Sequence, residues 1–451
     1  MTTHASFQRA ALPTLPGLAE PVRIDVPRAV IVVLGLSFLM GLAARRLPVV
    51  ATGHAGFLLL ATAWITVMGR SRPWAMFVLG AVGSAGVFWR MHSVPLPWET
   101  GKYAAFACIV ALWLRGRARA PAALPTLYFV LLLPSALLTI DALPWAELRR
   151  ALSFNLSGPL LLAACGILVA RDRLDLRTTS MLLLGLFAGC LLVLGAVSST
   201  WIAGADVTYQ SAESSFVASA GYGPNQVSTM LGLGLVLALM GPLVGAVRTP
   251  LGRAVCVGLA LLFLGFALAT LSRGGVYSGI IALGVFCVFG LPRSRTSVAA
   301  LVGLVLAGVV AWSVVVPAVE SATGGYLSQR YAEAGATGRE RLALDDLKGF
   351  EEHPVLGRGP GMAAHERGVA AHSEVTRMLG EHGILGLLSL LALMAMGWRA
   401  VTRSARGLER AIGATMYVWG FTVSLHAGFR TATMGIALAM ASAGIQRARR
   451  G

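Results

Sequence analysis

Four short stretches carry most of the chemistry open to this chain. In Ser272-Arg273-Gly274-Gly275 an arginine and two glycines stand at the start of an apolar run. Ser272 is placed to cap a helix, and Arg273 then lies in the first turn. A cation there adds to the positive end of the helix dipole instead of complementing it. It is either an interfacial, snorkelling arginine or, with a helix N-terminus and the close approach that glycine permits, part of an anion site. Thr337-Gly338-Arg339-Glu340 has the Thr-x-x-Glu spacing of a capping box. It opens a short amphipathic helix to about Glu352, with Ala343, Leu347 and Phe350 on one stripe and Pro354 as its stop. Such a helix lies on a membrane face rather than crossing it. Arg339 is again in a first turn, and a salt bridge to Glu333 or Asp346 is the plain alternative to an anion site.

The third stretch is Ala371-His372-Ser373-Glu374, which enters another apolar run. A lone histidine is more often structural. Cations nearby would lower its pKa below the usual value of about 6.5, keeping His372 neutral and able to accept a proton. Glu374 can orient the ring or partner Arg377, and Glu381 and His382 lie farther along the same helix. In the fourth stretch, Gly221 to Gln226, Pro224 suits a first helical turn. Asn225 and Gln226 would place amides just below the surface, fitting either a hydroxyl-rich ligand or ordinary interhelical bonding. Gly357-Arg358-Gly359-Pro360-Gly361 follows no strand and contains a proline, so it reads as a turn and not a nucleotide loop. His353, His365, His372 and His382 lack a His-Glu-x-x-His spacing, and neither a metal site nor a cofactor is expected.

The frame that must position these groups is apolar. With 56% hydrophobic and 13% charged residues, the chain is an integral membrane protein. About fourteen runs of roughly 17 to 24 residues can each cross a hydrocarbon core of roughly 30 Å. They cover about 28–44, 48–69, 73–91, 102–116, 122–140, 151–170, 178–202, 223–247, 252–271, 274–291, 296–318, 375–398, 409–427 and 430–446. The net charge of +17 resides in short arginine clusters between runs, which suit anionic lipid headgroups and not nucleic acid. Such clusters follow every even-numbered run, so those loops and both termini are expected in the cytoplasm. Arg45 with Arg46 and Arg149 with Arg150 breach the pattern. The five cysteines all lie in apolar runs and read as small hydrophobes. Residues 1–27 lack the apolar centre of a cleavable signal and read as a cytoplasmic tail. Gly185 with Gly189 and Gly241 with Gly245 have spacings that fit close helix packing.

The organisation that follows is a tail (1–27), membrane helices (28–220), membrane helices carrying Arg273 (221–318), an outward-facing loop (319–374), membrane helices (375–446) and a second tail (447–451). Ten of the 20 acidic residues and four of the eight histidines fall between Glu320 and His382, so the loop and the rims beside it are where chemistry concentrates. Two arginines and a histidine on one membrane face call for a substrate with phosphates at the lipid side and a hydroxyl to be activated. A polyprenyl-pyrophosphate-linked glycan meets both conditions. A transporter would instead bury such charges at the bilayer midplane in broken helices.

Ser272-Arg273-Gly274, Gly338-Arg339, His353 to Gly361, His372-Ser373 and Glu381 to Gly386, taken in order, resemble the motifs of the O-antigen ligase and polymerase superfamily. Gly223-Pro224-Asn225 is similar to a further recurrent piece, and the resemblance covers about residues 220–390. It implies an all-α, polytopic helical bundle of the GT-C type with about 12–14 membrane helices and one long periplasmic loop of short helices. It also implies a metal-independent, inverting glycosyltransferase of the bacterial inner membrane with a periplasmic active site. By matching position Arg273 and Arg339 hold the donor pyrophosphate and His372 deprotonates the acceptor, while Asn225, Gln226, Glu374 and Glu381 support the site. Arg341 is close enough to Arg339 to be the phosphate ligand in its place. The implied partners are membrane lipids, an undecaprenyl-pyrophosphate-linked glycan, and lipid A-core for a ligase or a growing glycan for a polymerase. Where many members carry an aromatic residue after the second arginine, this chain has Leu342-Ala343-Leu344, which leaves ligase and polymerase both open.

Overall fold

The computed structural model describes residues 26–446 apart from 70, 116–121, 172–173, 204–206, 208, 210, 212, 292–294, 333–337 and 403–406. The apolar runs become helices because a bilayer offers the backbone no hydrogen-bond partners, so each segment satisfies its own. The first group is α1 (Arg28–Ala44), α2 (Val49–Met68), α3 (Arg72–Met91), α4 (Thr100–Arg115), α5 (Ala123–Val130), α6 (Leu133–Ala142), α7 (Trp145–Arg171) and α8 (Leu176–Ile202). Next come α9 (Pro224–Leu243), α10 (Pro250–Ala269), α11 (Arg273–Gly290), α12 (Arg295–Val310) and α13 (Val316–Ala322), the last two joined by a π-helical turn at Ala311–Val315. Three short helices follow: α14 (Tyr326–Ala332), α15 (Arg339–Glu352) and α16 (Met362–Arg367). The chain closes with α17 (Glu374–Thr402), α18 (Leu408–Ser424) and α19 (Ala432–Ala439). Leu174–Asp175 pairs with Ile445–Gln446 in a two-residue parallel contact, which places the α7–α8 turn and the end of the described chain on one side of the bundle.

Among the described residues, ten helical segments are long and apolar enough to cross a membrane, fewer than the fourteen runs read from hydropathy. The difference lies in length. Helices α1 and α4 have 17 and 16 residues, α18 has 17, and the last run is a short helix with a 3-10 turn ending at Ser442. The run at 122–140 is split into α5 and α6, with Pro134 in the first turn of the second piece.

Small residues bring the helices together. A β-carbon on Gly80 would come 2.3 Å from Leu182 O, and one on Gly185 would come 2.1 Å from Phe77 O, so α3 and α8 touch backbone to backbone. Gly41 and Gly195 do the same for α1 and α8, and Gly189 meets Ser84. Gly241 and Gly245 do not form such a pair: Gly245 lies past the end of α9 with φ +71° and nothing beside it. Gly275 and Gly232 bring α11 against α9, which sets the first turn of α11 beside the first turn of α9.

Helix α15 departs from its expected face. The residues it buries are Asp346 and Gly349, whereas Leu347 and Leu344 are exposed. The reason is close packing on α17, where a β-carbon at Gly380 would come 2.6 Å from Asp346 O. The helix begins at Arg339 after Gly338 in the left-handed region, and Thr337 of the expected capping box lies outside the described residues.

Candidate functional site

The ends of α9, α11, α15, α17 and the α18–α19 connection meet at one rim of the bundle. Ser272 precedes α11, but its hydroxyl does not cap the helix; it donates to Asn225 Oδ1 at 2.8 Å. Arg339 Nη2 donates to the same amide oxygen at 3.1 Å. Asn225 therefore joins the Arg273 turn to the start of α15. Ser228 Oγ donates to Ser272 O at 2.8 Å and fixes the turn from below. Leu271, before it, has φ +54°, a left-handed backbone for a branched residue. Arg330 Nε donates to the Leu271 carbonyl at 3.2 Å and Arg273 Nη1 donates to the Arg330 carbonyl at 3.3 Å, so α14 braces the strained turn. Gln226 is buried, and its Oε1 has no hydrogen-bond partner among the described residues.

Glycine gives this turn its second neighbour. A β-carbon on Gly274 would meet the His426 ring at 2.3 Å, so only glycine leaves room for that ring. His426 Nε2 is 3.2 Å from Ser278 Oγ, whose hydroxyl donates to Gly274 O at 2.8 Å. Beyond it, Arg430 Nη2 donates to Ala371 O at 3.2 Å, beside His372.

His372 lies at the centre of this charge. Burial, then Arg430, Arg339 and Arg367, push its pKa down to about 4, so the ring is neutral at neutral pH. Its Nδ1 is buried with no hydrogen-bond partner among the described residues. His426 is pushed down to about 4 as well, by burial first and then by Arg339. Arg339 is itself lowered, by burial and then by Arg330, Arg273 and Arg430, which places these side chains within electrostatic reach of one another. Arg341 is exposed.

Glu374 and Glu381 do not hydrogen-bond His372; with Arg377, Ala371 and Arg430 they line a small cleft beside it. Arg377 pairs with both, at 2.6 Å each, in a buried triad one turn below His372. Glu374 Oε1 also accepts from Phe429 N at 2.5 Å, tying the His372 segment to the Arg430 loop. Of the two sequence alternatives for Glu374, the structure therefore gives the pairing with Arg377. Asp346 is held by Arg367 at 2.8 Å and Thr376 at 2.9 Å and is not the partner of Arg339; Glu333 lies outside the described residues.

The remaining motifs serve the frame. Helix α17 kinks at Gly383 (φ +60°, ψ −140°), a backbone only glycine adopts readily. The turn at His353–Gly361 packs into that kink: Ile384 N donates to Pro354 O at 2.8 Å, Arg358 N to Gly380 O at 2.9 Å and Gly359 N to Glu381 O at 3.0 Å. His382 is fully buried, 2.5 Å from Ser135 Oγ, and His365 pairs with Glu147 at 3.3 Å. The four histidines of the loop are thus dispersed.

Beneath the arginines, α9 to α14 enclose an apolar cleft of about 1110 Å³ walled by Leu264, Ile280, Leu304 and Trp312, with Tyr277 and Tyr331 lining it too. Tyr331 is within electrostatic reach of Arg273 and Arg330, which joins the cleft to the cationic rim. The α12–α13 segment that forms its outer wall is almost unburied by the rest of the protein.

Sequence reasoning did not single out His426, Arg430 or Arg90, whose Nη1 donates to Arg430 O at 2.9 Å. A signal for the two arginines existed: Arg90 lies at the end of the third run and Arg430 follows the thirteenth, on the side where positive charge is disfavoured. His426 stands alone at the end of an apolar run and had no such mark.

The family model for O-antigen ligase matches residues 258–391, a span that contains Arg273, Arg339 and His372 but not Arg90, Asn225, His426 or Arg430. No curated protein and no solved structure matches the chain. The chain is a multi-pass helical membrane protein that is similar, over residues 258–391, to O-antigen ligase, a resemblance that points to ligase- or polymerase-like glycan transfer.

Proposed function

We propose that this protein moves a glycan from undecaprenyl pyrophosphate to an acceptor hydroxyl, with lipid A-core as the acceptor, at the periplasmic face of the bacterial inner membrane. The observation that carries the reading is His372: a neutral imidazole whose Nδ1 has no hydrogen-bond partner among the described residues and which lies within electrostatic reach of Arg430, Arg339 and Arg367. A base needs the free nitrogen, a pyrophosphate needs the arginines, and its lipid tail needs an apolar cleft such as the one that Tyr331 joins to Arg273.

In the reaction His372 takes the proton of the acceptor hydroxyl. The freed oxygen attacks the anomeric carbon of the carrier-linked sugar from the face opposite the pyrophosphate. The bond from that carbon to the pyrophosphate oxygen breaks, and its electron pair leaves with the carrier, which gains one negative charge. Arg273 and Arg339 meet that charge. Because pyrophosphate leaves readily once its charge is held, the site has no need of a strong acid. Asn225 keeps the two arginines in register through Ser272 and Arg339. The prenyl chain occupies the apolar cleft, entering past the loosely held α12–α13 segment.

The test is transfer by the purified protein from a lipid-linked donor. His372→Ala is expected to lower kcat by roughly 100- to 10,000-fold while donor affinity stays within about twofold. Undiminished turnover would remove His372 from the role of base. In cells, loss of a ligase leaves core-only lipopolysaccharide with long polymer on the carrier, whereas loss of a polymerase leaves core bearing one repeat.

A further inference from the structure

Arg430, within electrostatic reach of His372, belongs to a second group of residues. Arg90, at the end of α3, donates from Nη1 to Arg430 O at 2.9 Å and from Nη2 to Trp98 O at 2.6 Å. Its guanidinium lies 4.3 Å from the centre of the Trp98 ring. Tyr222 stands at the edge of that ring, with centroids 6.2 Å apart and planes tilted by 44°. Trp98 is 50% exposed even so. Arg430 links this group to the catalytic histidine, because it bonds the carbonyl of Ala371 next to His372.

Arg90 and Arg430 stand outside the pair assigned to the donor. Among the described residues neither makes a salt bridge: their side-chain hydrogen bonds go to backbone carbonyls, Arg90 to Arg430 O and Trp98 O and Arg430 to Ala371 O. The nearby carboxylates are engaged elsewhere, Glu99 with Lys102 at 2.6 Å and Glu374 and Glu381 with Arg377. Desolvating a guanidinium without an anion is costly. Such an arrangement is stable in function when a ligand supplies the missing charge.

We infer that Arg90, Trp98, Tyr222 and Arg430 form the acceptor subsite, and that it selects an acceptor sugar bearing an acidic group, a phosphate or a carboxylate. The inference rests on the transfer reading above. The sugar ring lies on the open face of Trp98, where its C–H groups meet the negative π surface. The acidic group pairs with Arg430, and the neighbouring hydroxyl is carried to His372. Arg90 is a positioning residue: it holds the tryptophan and the Arg430 backbone in one frame. All four residues lie outside the span matched by the family model.

The experiment uses the full-length protein in lipid nanodiscs with one lipid-linked donor and three acceptors: lipid A-core, the same after phosphatase treatment, and the same with its carboxylates reduced to alcohols. The wild-type protein is expected to lose at least about tenfold in kcat/KM for one of the two neutralised acceptors, which identifies the acidic group, while the donor KM stays within about twofold. Arg430→Gln is expected to lose a similar factor with the acidic acceptor and less than about twofold with the neutralised one. Trp98→Ala is expected to raise the acceptor KM for all three. Equal rates for all three acceptors with the wild-type protein would overturn the proposal without recourse to any variant. So would a rise in donor KM for Arg430→Gln, which makes Arg430 a donor ligand, or an unchanged acceptor KM for Trp98→Ala, which makes Trp98 a membrane-interface anchor. Absence of transfer to every acceptor by the wild-type protein is a different result: it removes the transfer reading and this inference together.

Discussion

Arg377 and Arg339 are arginines at the same end of the bundle, and their surroundings are opposite. Arg377 is buried in a cage of carboxylates, with Glu374 and Glu381 at 2.6 Å and Asn155 at 3.3 Å. Arg339 is partly buried among cations, and its bond to Asn225 goes to a neutral amide oxygen. The first arrangement satisfies itself and needs nothing from outside. The second is costly until an anion arrives. A paired cation therefore marks the frame, and one held among other cations marks a place for a ligand; residue type alone does not separate them.

That contrast is broken most severely at Arg377. Arg377→Ala leaves two buried carboxylates without a paired cation, and thermal or chemical unfolding in detergent is expected to show a loss of about 3–5 kcal/mol. A triple change of Arg377→Met, Glu374→Gln and Glu381→Gln is expected to recover most of it, since no buried charge is then stranded. Arg339→Ala is expected to do the reverse. Donor affinity falls roughly 10- to 100-fold, the worth of a charge-assisted bond of about 1.5–3 kcal/mol. Stability holds or rises slightly, because the change removes repulsion from Arg330, Arg273 and Arg430. A stability loss at Arg339 as large as at Arg377 would erase the distinction.

The pH profile sharpens it further. With its pKa at about 4, His372 in the free protein stays an acceptor well below neutrality, so the acid limb of kcat/KM is expected near pH 4 and not near 6.5. Bound pyrophosphate favours the imidazolium and raises that pKa, so the acid limb of kcat is expected at higher pH than that of kcat/KM. Stability has its own sign. Between the unfolded value of 6.5 and the folded value of about 4, the unfolded chain takes up a proton that the folded one refuses, so this group makes stability fall as pH drops through that window. The smallest effect is expected at Arg341, which is exposed: Arg341→Ala should change activity by less than about twofold and stability by no more than about 0.5 kcal/mol.

The helical frame was legible because hydropathy is a local property. A run such as 178–202 must satisfy its backbone internally wherever it packs, and it does so as α8. Ends and breaks were harder. Splitting of 122–140 into α5 and α6, and the left-handed kink at Gly383, both depend on what packs beside them. The stretch from His353 to Gly361 reads in the sequence as a glycine-rich turn, but that it fills the kink depends on packing. Glu381 and His382 stand in the sequence as ionisable groups near His372, yet the helix carries them into the buried triad and against Ser135.

By itself the sequence determined that the chain is a helical membrane protein, that polar chemistry gathers at one rim, and that Arg273, Arg339 and His372 each begin or precede a helix there. Those facts depend on composition, spacing and helix-start signals within a few residues. Only the tertiary structure decided that Arg339 reaches Asn225 while Arg341 is exposed, and that His426 and Arg430 come within electrostatic reach of His372, with Arg90 bonded to Arg430. Arg90 and Arg430 are joined by a 2.9 Å bond across 340 positions of chain, and no local pattern encodes such a meeting. It follows from glycine-mediated contacts between helices, which set where each helix end arrives.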